Sequence, residues 1–381
     1  MLLRQSDFWK EESEAPLLGR DEGFLEQQGA EIFERVRRWP SLAGLSEAEQ
    51  NAQVEWPSLD AIHKAHQRIV QKDAERTFMG EKQRERMAKL LTALIHRFQD
   101  YQQGLGYVAG FLLLTMEETH IYNLLHKFNN DPKYIYMEGY WKAEAVGFAV
   151  DAQVFHHVVQ KLLPDVAKRL EERYILPETY CQKWFVGLNI HVLPFAHLFD
   201  FFELYLRQGH LALFQFGLSL LEQLKDRLLA AKQVSDIHDL LRLDEKLSFV
   251  DEELIGSIMA GMSRFEAPLK EQFDFAALRE HYWQTTIKPR VDRAKKAMEE
   301  IAKEEDEAQE DSEEGEEDED EDEDDDTGAC QVCEESVPER YCKECQKLLC
   351  DACHEEEKDG HKKSHPSTED WSEIEELLKA K

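Results

Sequence analysis

From Glu299 to Asp326 the chain carries 21 aspartates and glutamates against a single lysine. Like charges at that density repel one another, and the stretch has almost no apolar surface to bury, so it cannot collapse into a core. It reads as a disordered linker, and it divides the 381 residues into parts that must fold separately. Length by itself allows one large or two to three smaller domains. Of the net charge of −33, the 353 residues outside this stretch hold only −13. The body is therefore mildly acidic, and its apolar content is ordinary for a globular core. A chain this acidic repels phosphate backbones at long range, which argues against nucleic acid as a partner.

Upstream of the linker, apolar residues recur with helical spacing from about 29 to 290. Pro and Gly punctuate them, and no period-2 alternation is sustained, so this body is expected to be all-α. Residues 1–28 are polar and irregular. The segment LDAIHKAHQRIVQKDAERTF puts Ile62, Ala65 and Ile69, with His66 at the margin, on one helical stripe. MAKLLTALIHRF puts Met87, Leu90, Leu91, Leu94, Ile95 and Phe98 on another. Residues 211–224 are apolar nearly all round, which predicts a central buried helix. Residues 288–310 predict an exposed helix leaving the domain, so that 291–327 form a helical extension and the acidic linker. MLLRQSDFWKEE has neither the apolar run nor the small-residue site of a signal peptide. The longest apolar run, Gly106 to Met116, is too short for a bilayer. These features point to a cytoplasmic protein with no transmembrane segment, and they leave recruitment to membranes by a partner open.

Six of the seven cysteines crowd into residues 330–353. The spacing from Cys330 to His365 is C-x2-C-x8-C-x2-C-x4-C-x2-C-x7-H-x3-H. In a cytosolic chain such clustering points to metal rather than disulfides. Eight ligands in four pairs suffice for two tetrahedral structural Zn2+ ions with no open position. A module this short cannot build an apolar core, so the metal must supply its folding free energy. The order of the pairs, with Tyr341-Cys342, Leu349-Cys350 and the closing His361 and His365, resembles a B-box zinc finger over 328–367. A MYND-type finger is the weaker match, since Cys350 and Cys353 are two rather than three residues apart and the last ligand is His. Both families interleave their ligands as a cross-brace. That resemblance implies Cys330, Cys333, Cys350 and Cys353 on one zinc, and Cys342, Cys345, His361 and His365 on the other, with His354 a possible substitute. The order does not match a RING finger, so ubiquitin transfer is not inferred. The module is expected to bind a protein whose identity the sequence does not reveal. A short amphipathic helix (368–381) closes the chain, with Ser372 and Glu375 forming a capping box.

The stretch YQQGLGYVAG (101–110) sets two glutamines and three glycines before an apolar run, where helix propensity gives no reason for them. It follows VQKDAERTF, in which Asp73 and Arg76 lie three residues apart, and it precedes WFVGLNIHVLPFAHLFDFFELYLRQG (184–209). One D-x-x-R pair is usually a solvated ion pair worth about 0.2–1 kcal/mol, and one glutamine is usually a loop amide. The ordered trio, however, resembles the TBC domain of GTPase activators for Rab proteins. Val70, Asp73 and Arg76 stand for IxxDxxR, and Tyr101, Gln103 and Gly104 for YxQG. Trp184, Phe185, Pro194 and Asp200 carry the third motif. RVRRWPSLAGL (35–45) looks like the family's opening through Trp39, Leu42 and Gly44, with Arg35 as the counterpart of its arginine and Arg37 and Arg38 as rivals. The resemblance covers roughly residues 29–250. Leu105-Gly106 replaces the usual Met-Asn, Val70 the usual Ile, and Phe199 the usual Trp.

The resemblance implies a helical activator acting on a GTP-bound Rab-like GTPase, lending residues rather than turning over a substrate of its own. Arg76 would be the arginine finger, and Asp73 would hold it from one turn away. Gln103 would supply the amide that orients the attacking water, Tyr101 would position the loop, and Gly104 and Gly106 would let a turn approach the nucleotide. Trp184, Phe185, Pro194 and Asp200 are expected to pack and cap. His191, His197 and His210 read as ordinary half-buried histidines, and Cys181 as a core thiol. The rival reading is a scaffold that binds a GTPase without accelerating hydrolysis. The linker reads as a spacer, with binding of basic partners or shielding of a basic patch as alternatives.

Overall fold

The computed structural model describes residues 24–78, 80–134, 140–142, 145–243 and 247–298, and the short segments 340–342, 347–349 and 369–370. The chain divides into two units, Met1–Met298 and Glu299–Lys381. The described residues of the first contain helices and no strand. In order they are α1 (Phe24–Val36), α2 (Trp39–Leu42), α3 (Glu47–Gln50), α4 (Lys64–Thr77), α5 (Glu81–Phe98), α6 (Gln103–Leu113), α7 (Glu118–Asn130), α8 (Val146–Leu162), α9 (Pro164–Glu172) and α10 (Pro177–Phe185). Then follow α11 (Phe195–Gln208), α12 (His210–Gln223), α13 (Lys225–Ala230), α14 (Val234–Arg242), α15 (Glu252–Gly261), α16 (Glu266–Gln272) and α17 (Phe275–Tyr282). A π turn, Trp283–Ile287, leads into a helix over 288–298 that is mostly exposed.

The core is built around α12, which is buried without a break from Ala212 to Leu221, and around an aromatic cluster centred on Trp39. The Trp39 ring lies 4.8 Å from Phe202, 5.8 Å from Phe199 and 6.1 Å from Phe111. The α5 stripe of Met87, Leu90, Leu91, Leu94, Ile95 and Phe98 is buried throughout, each large side chain contributing about 1.5–3 kcal/mol on burial. Gly44 ends α2 at φ +85°, a left-handed conformation that costs glycine no Cβ clash.

Two expectations are corrected. The buried face of α4 is Val70, Asp73, Ala74 and Thr77, not Ala65, His66 and Ile69. Ile69 is 40% exposed, and Ile62, though buried, precedes the helix. This more polar face can be buried because its polar atoms find partners inside: Thr77 Oγ1 donates to Asp73 O at 2.6 Å, and Asp73 is held by Tyr101. The first helix also starts at Phe24, within the stretch that reads as polar and irregular. Phe24 reaches Phe199 at 6.2 Å, and Ile32 and Val36 anchor the helix in the core, despite Gly29 in its middle.

In the second unit three short antiparallel strands, β1 (Arg340–Cys342), β2 (Lys347–Leu349) and β3 (Glu369–Asp370), form a sheet in the order β2-β1-β3. Cys342 is paired with Lys347 at the end of the β1–β2 ladder. The helix expected over 368–381 is also corrected at its start, where Glu369 and Asp370 pair with β1 as strand β3; its Ser372–Glu375 capping box, the other seven expected zinc ligands and the acidic run lie outside the described residues.

Candidate functional site

Arg76 stands in the last turn of α4, where a cation is favoured by the helix dipole. Its side chain is 51% exposed, whereas that of Asp73, one turn back, is 4% exposed. The Asp73 carboxylate divides its oxygens. Oδ1 accepts from Arg76 Nη2, and Oδ2 accepts from the Tyr101 hydroxyl. Burial pushes the Asp73 carboxyl above the usual aspartate range, against the downward pull of the Tyr101 hydroxyl and the Arg76 guanidinium. Burial, together with the Asp73 charge, drives the Tyr101 phenol well above the usual tyrosine value. Tyr101 therefore stays protonated and donates.

Immediately after this buried anchor the chain begins α6. Gln102 is the N-cap, its Oε1 accepting from Gly104 N at 2.5 Å. The first helical residue is Gln103, and its side chain is exposed. The orientation of its amide follows from its neighbours. The oxygen accepts from the Tyr107 hydroxyl at 2.8 Å and from the Arg76 guanidinium, Nη2 at 2.5 Å and Nη1 at 3.3 Å. Two side chains 27 positions apart thus touch on one exposed face. His66 Nε2 lies 3.6 Å from Asp100 Oδ1, so the chain entering α6 runs beside α4.

The glycines of this stretch have a packing role within the protein itself. Gly104 and Gly106 are buried and have no left-handed φ, so it is close packing around α6, not a positive-φ turn, that uses their missing side chains. A Cβ on Gly106 would sit 2.4 Å from the Tyr101 hydroxyl and 3.3 Å from Asp73 Oδ2. One on Gly104 would sit 2.5 Å from Val186 Cγ1. The missing side chain of Gly106 makes room for the Tyr101–Asp73 anchor, and that of Gly104 lets α6 pack against Val186.

Beside Gln103 lies a cleft of about 170 Å³ bordered by Gln102, Tyr107, Lys183, Gly187 and His191. The His191 ring meets Tyr107 edge-on at 4.0 Å. Burial, with the Lys183 and Arg76 cations nearby, pushes His191 down to about 4, so it is neutral at physiological pH. Half-buried as expected, it is also a wall of the site, which its residue type and spacing did not reveal. The chain reaches it through two successive left-handed residues, Leu188 (φ +46°) and Asn189 (φ +60°), a strained path of the sort found beside functional sites.

The remaining motif residues support the scaffold. Trp184 and Phe185 are fully buried, the Trp184 indole donating to Leu241 O at 3.2 Å. Pro194 is the N-cap of α11. Among the three candidate arginines of the opening, Arg35 is the one that reaches the third motif, donating to Asp200 Oδ1 at 2.6 Å and Glu203 Oε1 at 2.9 Å. Trp39 Nε1 shares that Glu203 oxygen at 3.3 Å. Arg37, just past the end of α1, pairs instead with Glu34 in its last turn. Cys181 is a buried free thiol. His197 pairs with Glu252 at 2.6 Å, and His210 Nδ1 lies 2.9 Å from Lys133 O. Sequence reasoning missed Asp151 and Arg279, a fully buried two-pronged ion pair at 2.7 and 3.2 Å between α8 and α17. Nothing at spacing 128 signals it.

Residues 34–229, about half of the chain, match the Rab-GTPase-TBC domain. Growth hormone-regulated TBC protein 1 of Rattus norvegicus is 27% identical over 153 residues, 40% of this chain and 52% of that protein. Carabin of Mus musculus is 27% identical over 199 residues, 49% of this chain and 44% of that protein. The chain thus spans about half the length of these relatives. A solved structure of the Chlamydomonas flagellar RabGAP TBC domain is similar at 14% identity, covering 63% of this chain and 75% of that one, with a TM-score of 0.42. No helix among the described residues is long and apolar enough to cross a membrane.

Proposed function

The chain belongs to the Rab-GTPase-TBC domain family, and from that premise we propose that its helical unit activates GTP hydrolysis by a Rab-like small GTPase, lending Arg76 and Gln103 to the reaction. The observation that carries the reading is the contact between these two side chains, 2.5 Å apart on an exposed face although far apart in sequence.

Hydrolysis of GTP spreads negative charge over the oxygens of the transferred phosphoryl group and needs a water held in line; an arginine inserted by a partner protein is worth about 10³–10⁵ in rate. Arg76 suits the first task because it is permanently charged, presents a planar fork of donors and is half exposed at a helix end. Gln103 suits the second because a carboxamide donates and accepts at once. Asp73 restrains Arg76 from below, and Tyr101 restrains Asp73. Gly106 admits Tyr101 and Asp73 without steric conflict, and Gly104 admits Val186. Arg35, Trp39 and Asp200 knit α1, α2 and α11 together and take no part in the chemistry.

The C-terminal cysteines belong to the same proposal as a protein-binding module on two structural zincs, with the two ligand sets named above. The support is their spacing and the β1–β2 hairpin register, which ends at Cys342 just ahead of the chain that carries Cys345.

The test is a panel of GTP-loaded Rab proteins mixed with the purified chain. At least one member should hydrolyse GTP at least a thousandfold faster than alone, and Arg76→Ala and Gln103→Ala should each abolish most of that stimulation, Gln103→Ala with the melting temperature unchanged and Arg76→Ala with the protein still folded but less stable, since it strands the buried Asp73 carboxylate. Equal stimulation by the wild-type protein and both variants would remove the assignment. Binding without stimulation would leave a scaffold.

A further inference from the structure

Resting on that reading, we propose that Tyr107 is a positioning residue: its hydroxyl holds the Gln103 carboxamide while Arg76 leaves it for the nucleotide. The argument starts from valence. An amide oxygen has two lone-pair sites. Here one takes the Tyr107 hydroxyl at 2.8 Å and the other the Arg76 guanidinium, Nη2 at 2.5 Å. The two groups that must act on separate parts of one reaction therefore begin bonded to each other. In this proposal Arg76 gives up Gln103 as it extends to a phosphoryl oxygen, and that exchange frees an acceptor site on the amide for the water. Unless something else holds it, a surface glutamine released this way regains its rotamers, and the geometry for orienting water is lost.

Tyr107 is built to prevent this. It lies one turn further along α6 than Gln103, the i,i+4 spacing at which side chains on one face meet. Its ring is half-buried and seated edge-on against His191 at 4.0 Å, so the hydroxyl does not swing. His191, kept neutral by burial and the nearby cations, serves as a fixed wall. The positioning chain on the glutamine side, His191 to Tyr107 to Gln103, parallels the one on the arginine side, Tyr101 to Asp73 to Arg76.

The experiment is a double-substitution cycle on the full chain with a responsive Rab, separating maximal stimulated turnover from half-saturating activator concentration. Tyr107→Phe removes one oxygen and keeps the ring. It should lower maximal turnover about five- to tenfold, the worth of one positioning hydrogen bond, with half-saturation and melting temperature unchanged. In a Gln103→Ala background the same substitution should change nothing. If Tyr107→Phe is silent while Gln103→Ala and Arg76→Ala are both damaging, the positioning role is lost and the activator reading survives. If Tyr107→Phe costs as much without Gln103 as with it, the hydroxyl acts elsewhere and the inference is wrong. If Gln103→Ala and Arg76→Ala are themselves silent, the underlying reading fails first.

Discussion

Asp73 is a buried acid beneath a half-exposed base, and that asymmetry sets the pH behaviour of the site. Its carboxyl sits above the ordinary aspartate range because burial outweighs its two partners. A raised folded-state value means that protonation favours the folded chain: the contribution to stability is full at low pH and is lost as pH rises through that value. At neutral pH the ionised carboxylate is thus kept at some cost to stability, as expected of a group retained to hold Arg76. Stimulation of hydrolysis should fall as pH drops through this raised value, at higher pH than an ordinary aspartate would dictate. Tyr101→Phe removes a donor that favours the charged form, so it should shift this acid limb upward, as a pH–rate profile would show. A limb that stays put would mean that Tyr101 does not tune Asp73. Gly106→Ala should also be costly. Its methyl would meet the Tyr101 hydroxyl at 2.4 Å, and overpacking of this kind costs about 1–3 kcal/mol. Urea denaturation would measure the loss, and stimulated turnover should drop with it as Tyr101 shifts off Asp73. An unchanged midpoint would show that the loop yields freely.

Between Arg76 and Gln103 in sequence lies α5, 18 residues and about 27 Å long. The two meet because its apolar stripe is sandwiched in the core, which returns the start of α6 alongside α4. The position of these elements depends on the core and not on their own propensities, since α6 opens with two glycines in its first four residues. Elsewhere the Asp151–Arg279 pair ties α17 to α8 with side chains only 1% and 6% exposed. Removing one partner of such a pair strands a buried charge and costs about 3–5 kcal/mol, whereas replacing both with apolar groups of similar volume is often neutral. Arg279→Met should therefore destabilise the helical unit strongly, and Asp151→Leu with Arg279→Met should recover most of the loss in a denaturant titration. If the double substitution is as unstable as the single one, the pair is not what joins these helices.

For the whole molecule, the outstanding question is the metal. Protein prepared without chelators should contain two zincs per chain by elemental analysis, and chelation should leave the helical melting transition in place, since the first unit carries its own core. A metal-free preparation that behaves normally would reject the two-zinc assignment. The sequence by itself determined the helical class, the α5 stripe and the buried α12, and through its ordered motifs it supplied the proposed set Asp73, Arg76, Tyr101 and Gln103. Periodicity reports which residues share a face, and ordered motifs report which residue types recur together, and both survive without coordinates. Tertiary structure alone decided which face of α4 is buried and why Gly104 and Gly106 are glycines. It also selected Arg35 over its neighbours as the partner of Asp200, set Tyr107 and His191 around Gln103, and paired Asp151 with Arg279. The physical reason is common to all of these. A polar or crowded position is tolerated only where a neighbour distant in sequence supplies a hydrogen bond or leaves a gap, and such neighbours meet only once the core has closed.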